Sequence, residues 1–310
     1  MIVRMNKIFL LGMEDQREAL LSSLMELGAV EISQVDEEEY DELAFRPEIQ
    51  GEVTNIENNI AKIRNALDSL NKYSPEKPGL FPERREVTLS EFNQILNYSE
   101  NVWNSVNIIN SMEERLLQLK NEENRLNNLR LSLLPWKNYP LPLEFSGTQR
   151  TAFLTGTIPS SIDLHHFKNE MQDMEVCMEI DVLDKDKDQF YVSIVYHTGT
   201  EQECLSAVKA IGFNRVSFSG LTGTVEENIQ KIDKSIKELS IEKEKAISQI
   251  KDQLKDRRAI EALYDAFEVE LSRTVARGKI LETKKAFMIK GWIPAKIADK
   301  AKEKLESQYT

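Results

Sequence analysis

The feature that most limits the fold of this chain is a run from Val225 to Arg277 that contains neither Gly nor Pro. Two sets of positions, each repeating every seven residues, are mostly apolar along the whole run. The first set is Val225, Ile232, Leu239, Ala246, Gln253, Ile260, Phe267 and Thr274, and the second is Ile229, Ile236, Lys243, Ile250, Arg257, Tyr264 and Leu271. This spacing is typical of a coiled-coil core. It predicts one continuous helix on the order of 80 Å long at 1.5 Å per residue, beginning at Thr224, which has capping-box spacing to Glu227.

Two earlier segments carry apolar stripes that could pair with this helix. In the first, Val53, Ile56, Ile60, Ile63, Leu67 and Leu70 alternate steps of three and four residues, until Ser74-Pro75 and Pro78-Gly79 end the pattern. The second opens at Thr88, which has capping-box spacing to Glu91, and continues to Leu133, where Pro135, Pro140 and Pro142 end it. We therefore predict a helical coiled-coil shaft made of residues 50–149 and 221–277.

The N-terminal segment predicts a strand, a helix and a second strand. Ile8 to Leu11 is apolar and of strand length, Glu14 to Leu27 has a helical apolar face, and Gly28 is placed as the helix stop before a strand at Ala29 to Ile32. Such a unit is too small to bury its sheet alone, so it requires strands from elsewhere in the chain.

Residues 150–220 predict the order βαββαβ, which is the split arrangement of a ferredoxin-like domain. The predicted elements are strands at Thr151–Leu154, Glu175–Leu183, Gln189–Tyr196 and Arg215–Phe218, and helices at Ser160–Met171 and Glu201–Ile211.

Two pairs of segments indicate an internal repeat. The pattern A-F, then G-x-I-P-x-x-I, occurs at Gly156, Ile158 and Pro159 and again at Gly291, Trp292, Ile293 and Pro294. The extra residue between Phe and Gly in the second copy predicts a bulge. Likewise "CLSAVKAIGFNRVSF" parallels "LLSSLMELGAVEIS". We interpret the Gly-x-Ile-Pro stretches as a strand, a turn at Gly and a helix starting near Pro, with Trp292 packing that helix onto the sheet.

These elements combine into an α+β fold, a dumbbell of two ferredoxin-like α/β lobes joined by a long antiparallel coiled-coil bundle. Residues 1–49 and 278–310 form the proximal lobe, 50–149 and 221–277 the shaft, and 150–220 the distal lobe.

Composition argues against several functions. A net charge of −12 disfavours binding to nucleic acid or to an anionic lipid surface, and no apolar run is long enough to cross a bilayer. Cys177 and Cys204 are expected to be buried free thiols, and His165, His166 and His197 to have surface or capping roles. We find no nucleotide-binding, hydrolase or metal-ligand motif, so we expect no enzyme activity, no cofactor and no metal.

Three stretches, "VRMNKIFLLG", "LMELGAVEI" and "FMIKGWIP", resemble the N-terminal cytoplasmic part of subunit I (subunit a in eukaryotes) of V-type ATPases and ATP synthases. The resemblance implies a stator arm on the cytoplasmic face of a membrane, bound by E–G peripheral stalk heterodimers at both lobes, with the C/d component of the central stalk as a further expected partner. In that family an integral membrane domain follows and lies beside the rotor ring, and the arginine that takes part in proton or sodium movement belongs to that domain. We therefore assign the arginine to no residue of this chain, and expect the chain itself to be soluble.

Two other functions fit the same sequence. A ferredoxin-like lobe can hold a small regulatory ligand, with "LGAV" or "IGFN" lining the site, and thermal stabilisation by an amino acid or nucleotide would favour this alternative. A coiled-coil scaffold or tether with no link to a rotary ATPase is the other.

Overall fold

A computed structural model describes residues 3–35, 45–75, 99–173 and 176–309. Contacts divide the chain into two compact units, Met1–Glu113 with Ser248–Thr310, and Glu114–Ile247. In chain order the elements are β1 (Met5–Met13), α1 (Arg17–Leu27), β2 (Glu31–Ser33), α2 (Gln50–Tyr73), α3 (Ser99–Leu133), β3 (Thr151–Pro159), α4 (Leu164–Asp173), β4 (Met178–Lys185), β5 (Gln189–His197), α5 (Glu201–Ala210), β6 (Asn214–Arg215), α6 (Val225–Asp252), α7 (Arg257–Arg277), β7 (Leu281–Glu282), β8 (Ala286–Pro294) and α8 (Ala295–Tyr309).

The sheet of the first unit joins the two ends of the chain. β8 lies in its centre and pairs antiparallel with β1 along nine residues, from Met5↔Pro294 to Met13↔Ala286. β2 and β7 share the other edge of β8. A buried core forms on one face of the sheet from Leu20, Leu21, Leu24, Ile280, Phe287, Ile289 and Leu305, which belong to α1, β8, α8 and the turn after α7. The prediction that strands from elsewhere complete the N-terminal unit is confirmed.

Besides α1 and α8, the first unit contains α2, α7 and the part of α3 up to Glu113. α2 packs along α7, and α3 meets both of them, since Asn110 donates to the Lys62 carbonyl at 2.9 Å and Trp103 makes an edge-to-face contact with Phe267 at 5.6 Å. The predicted seam of α2 is confirmed, because all six of its apolar positions are buried or half-buried.

In the second unit α6 pairs with the later part of α3. Ion pairs join Arg115 to Glu242 at 2.7 Å and Arg130 to Asp233 at 2.8 Å, and this reversal of order shows that the two helices are antiparallel. α6 begins with the predicted capping box, in which the Thr224 N–H donates to Glu227 Oε2 and the Glu227 N–H donates to Thr224 Oγ1. None of the fifteen seam positions between Val225 and Thr274 is exposed.

The predicted uninterrupted helix from Thr224 to Arg277 is wrong at one place. A 3₁₀ turn at Gln253–Asp256 separates α6 from α7. The seam is polar here, and buried Arg257 bonds to Asn71, to the Ser74 carbonyl and to Glu261, while Asp256 accepts a hydrogen bond from Ser105 at 2.7 Å. Contacts with α2 and α3 therefore override the helical preference of the sequence at this point.

The sheet of the second unit has the order β4-β5-β3-β6 with every pair antiparallel. This is the order that a βαββαβ chain gives when each βαβ crossover leaves room for one strand between its two strands. α4 and α5 cover one face, and the core contains Leu154, Ile158, Phe167, Ile180, Val192, Ile194, Cys204 and Val208.

The two sheets share an element-by-element correspondence. A constant offset of 184 residues relates β1 to β5, the 3₁₀ turn Glu14–Gln16 to Thr198–Thr200, the first residue of α1 to that of α5, and Gly28 to Gly212. Both glycines have positive φ, 58° and 79°. An offset of 135 relates β3 to β8, and the β1–β8 and β5–β3 registers agree at all nine positions. These correspondences support the internal repeat that the sequence predicts.

Some predictions lie outside the described residues, namely the capping box of Thr88 and Glu91 and the stop at Pro78-Gly79. The three-part division into two lobes and a shaft stays a prediction. In the part of the chain that the structure describes, no helix is both long and apolar enough to span a bilayer.

Candidate functional site

The two glycines of the Gly-x-Ile-Pro pattern lie inside strands, so the predicted turn at Gly is wrong. Gly291 is buried within β8, and a Cβ there would lie 2.5 Å from the Glu31 carbonyl oxygen of β2. Gly156 is buried within β3, and its Cβ would lie 2.4 Å from the Asn214 carbonyl oxygen of β6. Each glycine lets a short neighbouring strand approach the central strand closely.

The remaining residues of the pattern have matching positions. Ile158 and Ile293 are fully buried, at 0% and 2% exposure, on the helix-covered face of each sheet, and Pro159 and Pro294 end the two strands. α8 starts directly after Pro294, as predicted. The predicted bulge is wrong, because β3 and β8 both have nine residues and regular pairing up to the shared Gly and Pro.

Trp292 does not pack the closing helix onto the sheet. It is 40% exposed and lies on the face of β8 opposite to Phe287 and Ile289, which fill the core. We call this side the outer face of the first sheet. Further apolar residues with exposed side chains alternate along β1 on the same face: Met5, Phe9, Leu11 and Met13. Single exposed apolar residues are ordinary, but a cluster of this kind marks an interaction surface.

The corresponding face of the second sheet is covered. Trp136, after the end of α3, is 2% exposed and makes edge-to-face contacts with Tyr191 of β5 at 5.6 Å and with Phe218 at 5.3 Å. Phe145 lies 5.4 Å from Phe153 of β3. The difference between the two outer faces was not predicted from sequence, because the run "IFLL" in β1 has no polar alternation that distinguishes a buried face from an exposed one.

A cleft lies beside this aromatic cover in the second unit. It is open and is lined by Tyr139, Glu144, Phe145, Phe153, Arg215 and Phe218 among others. Arg215 supplies a positive charge and Glu144 a negative charge, so the cleft could take a small zwitterionic or aromatic molecule.

The cysteines and histidines are the titratable side chains for which the sequence makes predictions. Burial raises the pKa of the Cys204 thiol to about 11, whereas Cys177 is exposed, which corrects the expectation that both thiols are buried. His197 accepts a hydrogen bond from the Gly199 N–H at 3.0 Å, and exposed His166 pairs with Glu170, so the predicted capping and surface roles are confirmed for these two. In the described ranges no group of three potential ligands could hold a metal ion.

Comparison with known proteins shows what the chain as a whole is similar to. No family model matches the chain. It is 24% identical over 325 aligned positions to A-type ATP synthase subunit I of Methanocaldococcus jannaschii, covering 98% of this chain and 47% of that protein. It is 22% identical over 324 positions to A-type ATP synthase subunit I of Methanothermobacter thermautotrophicus, covering 96% of this chain and 48% of that protein. The chain is homologous to A-type ATP synthase subunit I.

The homology to subunit I covers almost all of this chain, whereas the chain spans about half the length of these curated relatives. A solved structure described as the cytoplasmic N-terminal domain of subunit I, homolog of subunit a, of V-ATPase matches with a TM-score of 0.47, at 16% identity and 97% coverage of both chains.

Proposed function

We propose that this chain is the stator arm of a rotary ATPase, linking the peripheral stalks to the membrane domain that conducts ions. The homology to A-type ATP synthase subunit I carries the proposal. In such a motor the rotor transmits torque, so a static element must hold the membrane channel against rotation. We propose no catalytic role for the chain.

The repeated lobe supports a pair of contacts. The constant offset of 184 residues between the two α/β elements gives the chain two similar platforms. We propose that each binds the end of one E–G peripheral stalk heterodimer, and that each contact is weak alone but strong in combination because the second binding event is intramolecular. The dumbbell of two ferredoxin-like lobes belongs to this proposal, as does a place on the cytoplasmic face of the membrane.

The antiparallel helices support the mechanical role. Ion pairs such as Arg115–Glu242 and Arg130–Asp233 join α3 to α6 side by side, and Lys243, half-buried on the seam, pairs with Glu123. Two helices joined along their length resist bending more than a single helix does, which suits a strut.

A titration tests the proposal. Purified E–G heterodimer from the same organism is titrated into the intact chain by calorimetry, and lysine cross-links are mapped by mass spectrometry. We expect two E–G heterodimers per chain and two clusters of cross-links, one near Lys285 and Lys296 and one near Lys168 and Lys209. An unrelated antiparallel coiled coil serves as the control for non-specific binding. Absence of binding at any accessible concentration, or cross-links confined to one lobe, would contradict the proposal.

The cleft at Arg215 and Glu144 favours one second candidate, a regulatory site for a small zwitterionic or aromatic ligand. A panel of amino acids and nucleotides would raise the melting temperature of the intact chain if the cleft is such a site, and Arg215→Ala would abolish that rise. No shift with any ligand of the panel would dismiss this candidate.

A further inference from the structure

Among the described residues, one edge of β1 in the first sheet has no paired strand. β1 pairs with β8 on one side, and no strand of the described residues pairs with its other side, which we call the open edge. The Ala295 N–H donates to the Arg4 carbonyl and the Glu14 N–H donates to the Lys285 carbonyl. Because bonded positions alternate in an antiparallel pair, the even-numbered residues of β1 bond to β8. The odd-numbered residues, Met5 to Met13, direct their N–H and C=O groups to the open edge.

The second unit shows what such an edge binds. By the offset of 184, β1 corresponds to β5, and the edge of β5 equivalent to the open edge is occupied by β4. The His197 N–H, at the position of Met13, donates to the Cys177 carbonyl at 3.0 Å. The two strands therefore direct equivalent backbone groups outward, and only β5 has a partner for them among the described residues.

Side chains are buried more deeply in β5, which has a strand on both edges, than in β1, which among the described residues has one on a single edge. Val192 and Ile194 of β5 are fully buried at 0% exposure, with Ile180 of β4 in the same core. Their equivalents in β1, Ile8 and Leu10, are only half-buried. Natural edge strands are commonly protected by short length, proline, bulges or several charges. β1 has nine regularly paired residues, one lysine and no proline, and Leu11 is 80% exposed.

The charges near β1 indicate which kind of strand would pair with the open edge. Between Arg4 and Met13 the only charged residues are Arg4 and Lys7, both basic. β4 carries three acidic residues, Glu179, Asp181 and Asp184, against one basic residue, Lys185, and Asp184 pairs with Tyr191, which is the equivalent of Lys7. A strand with the pattern of β4 would thus place a carboxylate opposite Lys7.

We propose that the open edge of β1 binds an acidic β-strand of another protein chain, which adds antiparallel to β1 and completes a four-strand order like that of the second unit. Backbone hydrogen bonds supply the affinity and the alternating side chains supply the specificity, as in other cases of strand addition. This inference does not depend on the stator role.

A peptide copied from β4 is the probe. It spans Val176–Lys185, with serine in place of Cys177 and a fluorescent label, and the intact chain is titrated against it by anisotropy. We expect saturable binding with a Kd below ~1 mM and no binding of a scrambled peptide of the same composition. Hydrogen exchange should show that the amides of Met5, Lys7, Phe9, Leu11 and Met13 gain protection while those of the even-numbered residues do not change.

Matched variants separate backbone pairing from non-specific contact. In β4, up to the register shift after Val182, the odd-numbered residues exchange bonds with β5, since Cys177 pairs with His197. N-methylation of the peptide at Glu179 should therefore weaken binding at least ~10-fold, and N-methylation at Ile180 should change it less than ~3-fold. On the chain, Leu11→Pro removes an N–H of the open edge and should abolish binding, whereas Leu11→Ala should retain it. Lys7→Glu should weaken binding of the peptide to the chain. A peptide that carries Asp184→Lys should bind this variant again.

Three outcomes would overturn the proposal. The first is no saturable binding to the intact chain, and the second is equal weakening by the two N-methylated peptides. The third is a concentration-dependent dimer of the chain that Leu11→Pro removes, because it would assign the open edge to a second copy. The two N-methylated peptides test backbone pairing at the open edge even if Leu11→Pro fails to fold.

Discussion

Replacing Gly291 by alanine should destabilise the first unit by about 2–4 kcal/mol. The added Cβ would lie 2.5 Å from the Glu31 carbonyl oxygen and 3.4 Å from its carbonyl carbon, so β2 must move away from β8. Overpacking of this kind costs about 1–3 kcal/mol. β2 is held to β8 by three residue pairs, and each ladder hydrogen bond lost adds about 1 kcal/mol.

Urea unfolding followed by tryptophan fluorescence measures this change, with Gly51→Ala as the matched control. Gly51 lies near the start of α2 with open space around its position, so alanine there should stabilise the chain by up to about 1 kcal/mol. Gly291→Asn distinguishes the two explanations of this glycine, namely a turn residue and a residue packed closely against β2. A turn glycine accepts asparagine readily, whereas the contact with β2 makes asparagine at least as harmful as alanine. A free energy of unfolding for Gly291→Ala within about 0.5 kcal/mol of the wild type would refute the reasoning.

Three further predictions concern packing, thiol chemistry and size. Phe287→Ala should lower the free energy of unfolding by about 3–5 kcal/mol, because Phe287 is 1% exposed in the core. Trp292→Ala should lower it by only about 1–2 kcal/mol. Equal urea midpoints for the two variants would show that Trp292 lies in the core. At pH 8 a disulfide reagent should modify exposed Cys177 rapidly and Cys204 only after unfolding. Burial raises the pKa of Cys204 to about 11, so little of this residue is thiolate at pH 8. Rapid modification of both thiols in the folded chain would contradict this prediction. Small-angle scattering should give a radius of gyration well above the roughly 20 Å of a compact globule of this length, and a value near 20 Å would reject the dumbbell.

The seam of α2 and the start of α6 could be predicted from the sequence because each depends on local signals. Thr224 and Glu227 form the expected capping box, and the stripe from Val53 to Leu70 is buried as expected. Here one apolar face and the end signals define the element, and no distant part of the chain contradicts them.

The errors occur where distant segments decide the structure. Gly291 resembles a turn residue until β2, more than 250 residues earlier in the chain, is seen to lie against it. Trp292 resembles a core residue until the structure shows that the core residues Phe287 and Ile289 lie on the opposite face of the sheet. Arg257 fits the heptad pattern, but its bonds to Asn71 and to the Ser74 carbonyl accompany a 3₁₀ turn. These partners are distant in the sequence, so local residue patterns do not reveal them.

The pairing of β1 with β8 also sets the order in which the chain can fold during synthesis. Met5 pairs with Pro294, so β1 must wait while about 280 further residues are made, which takes roughly 15–60 s at about 5–20 residues per second. The four strands of the second sheet lie between Thr151 and Arg215 and can assemble long before that. During this interval β1 lacks β8 along its edge, and its apolar outer side chains are uncovered, which makes β1 an aggregation-prone segment of the nascent chain.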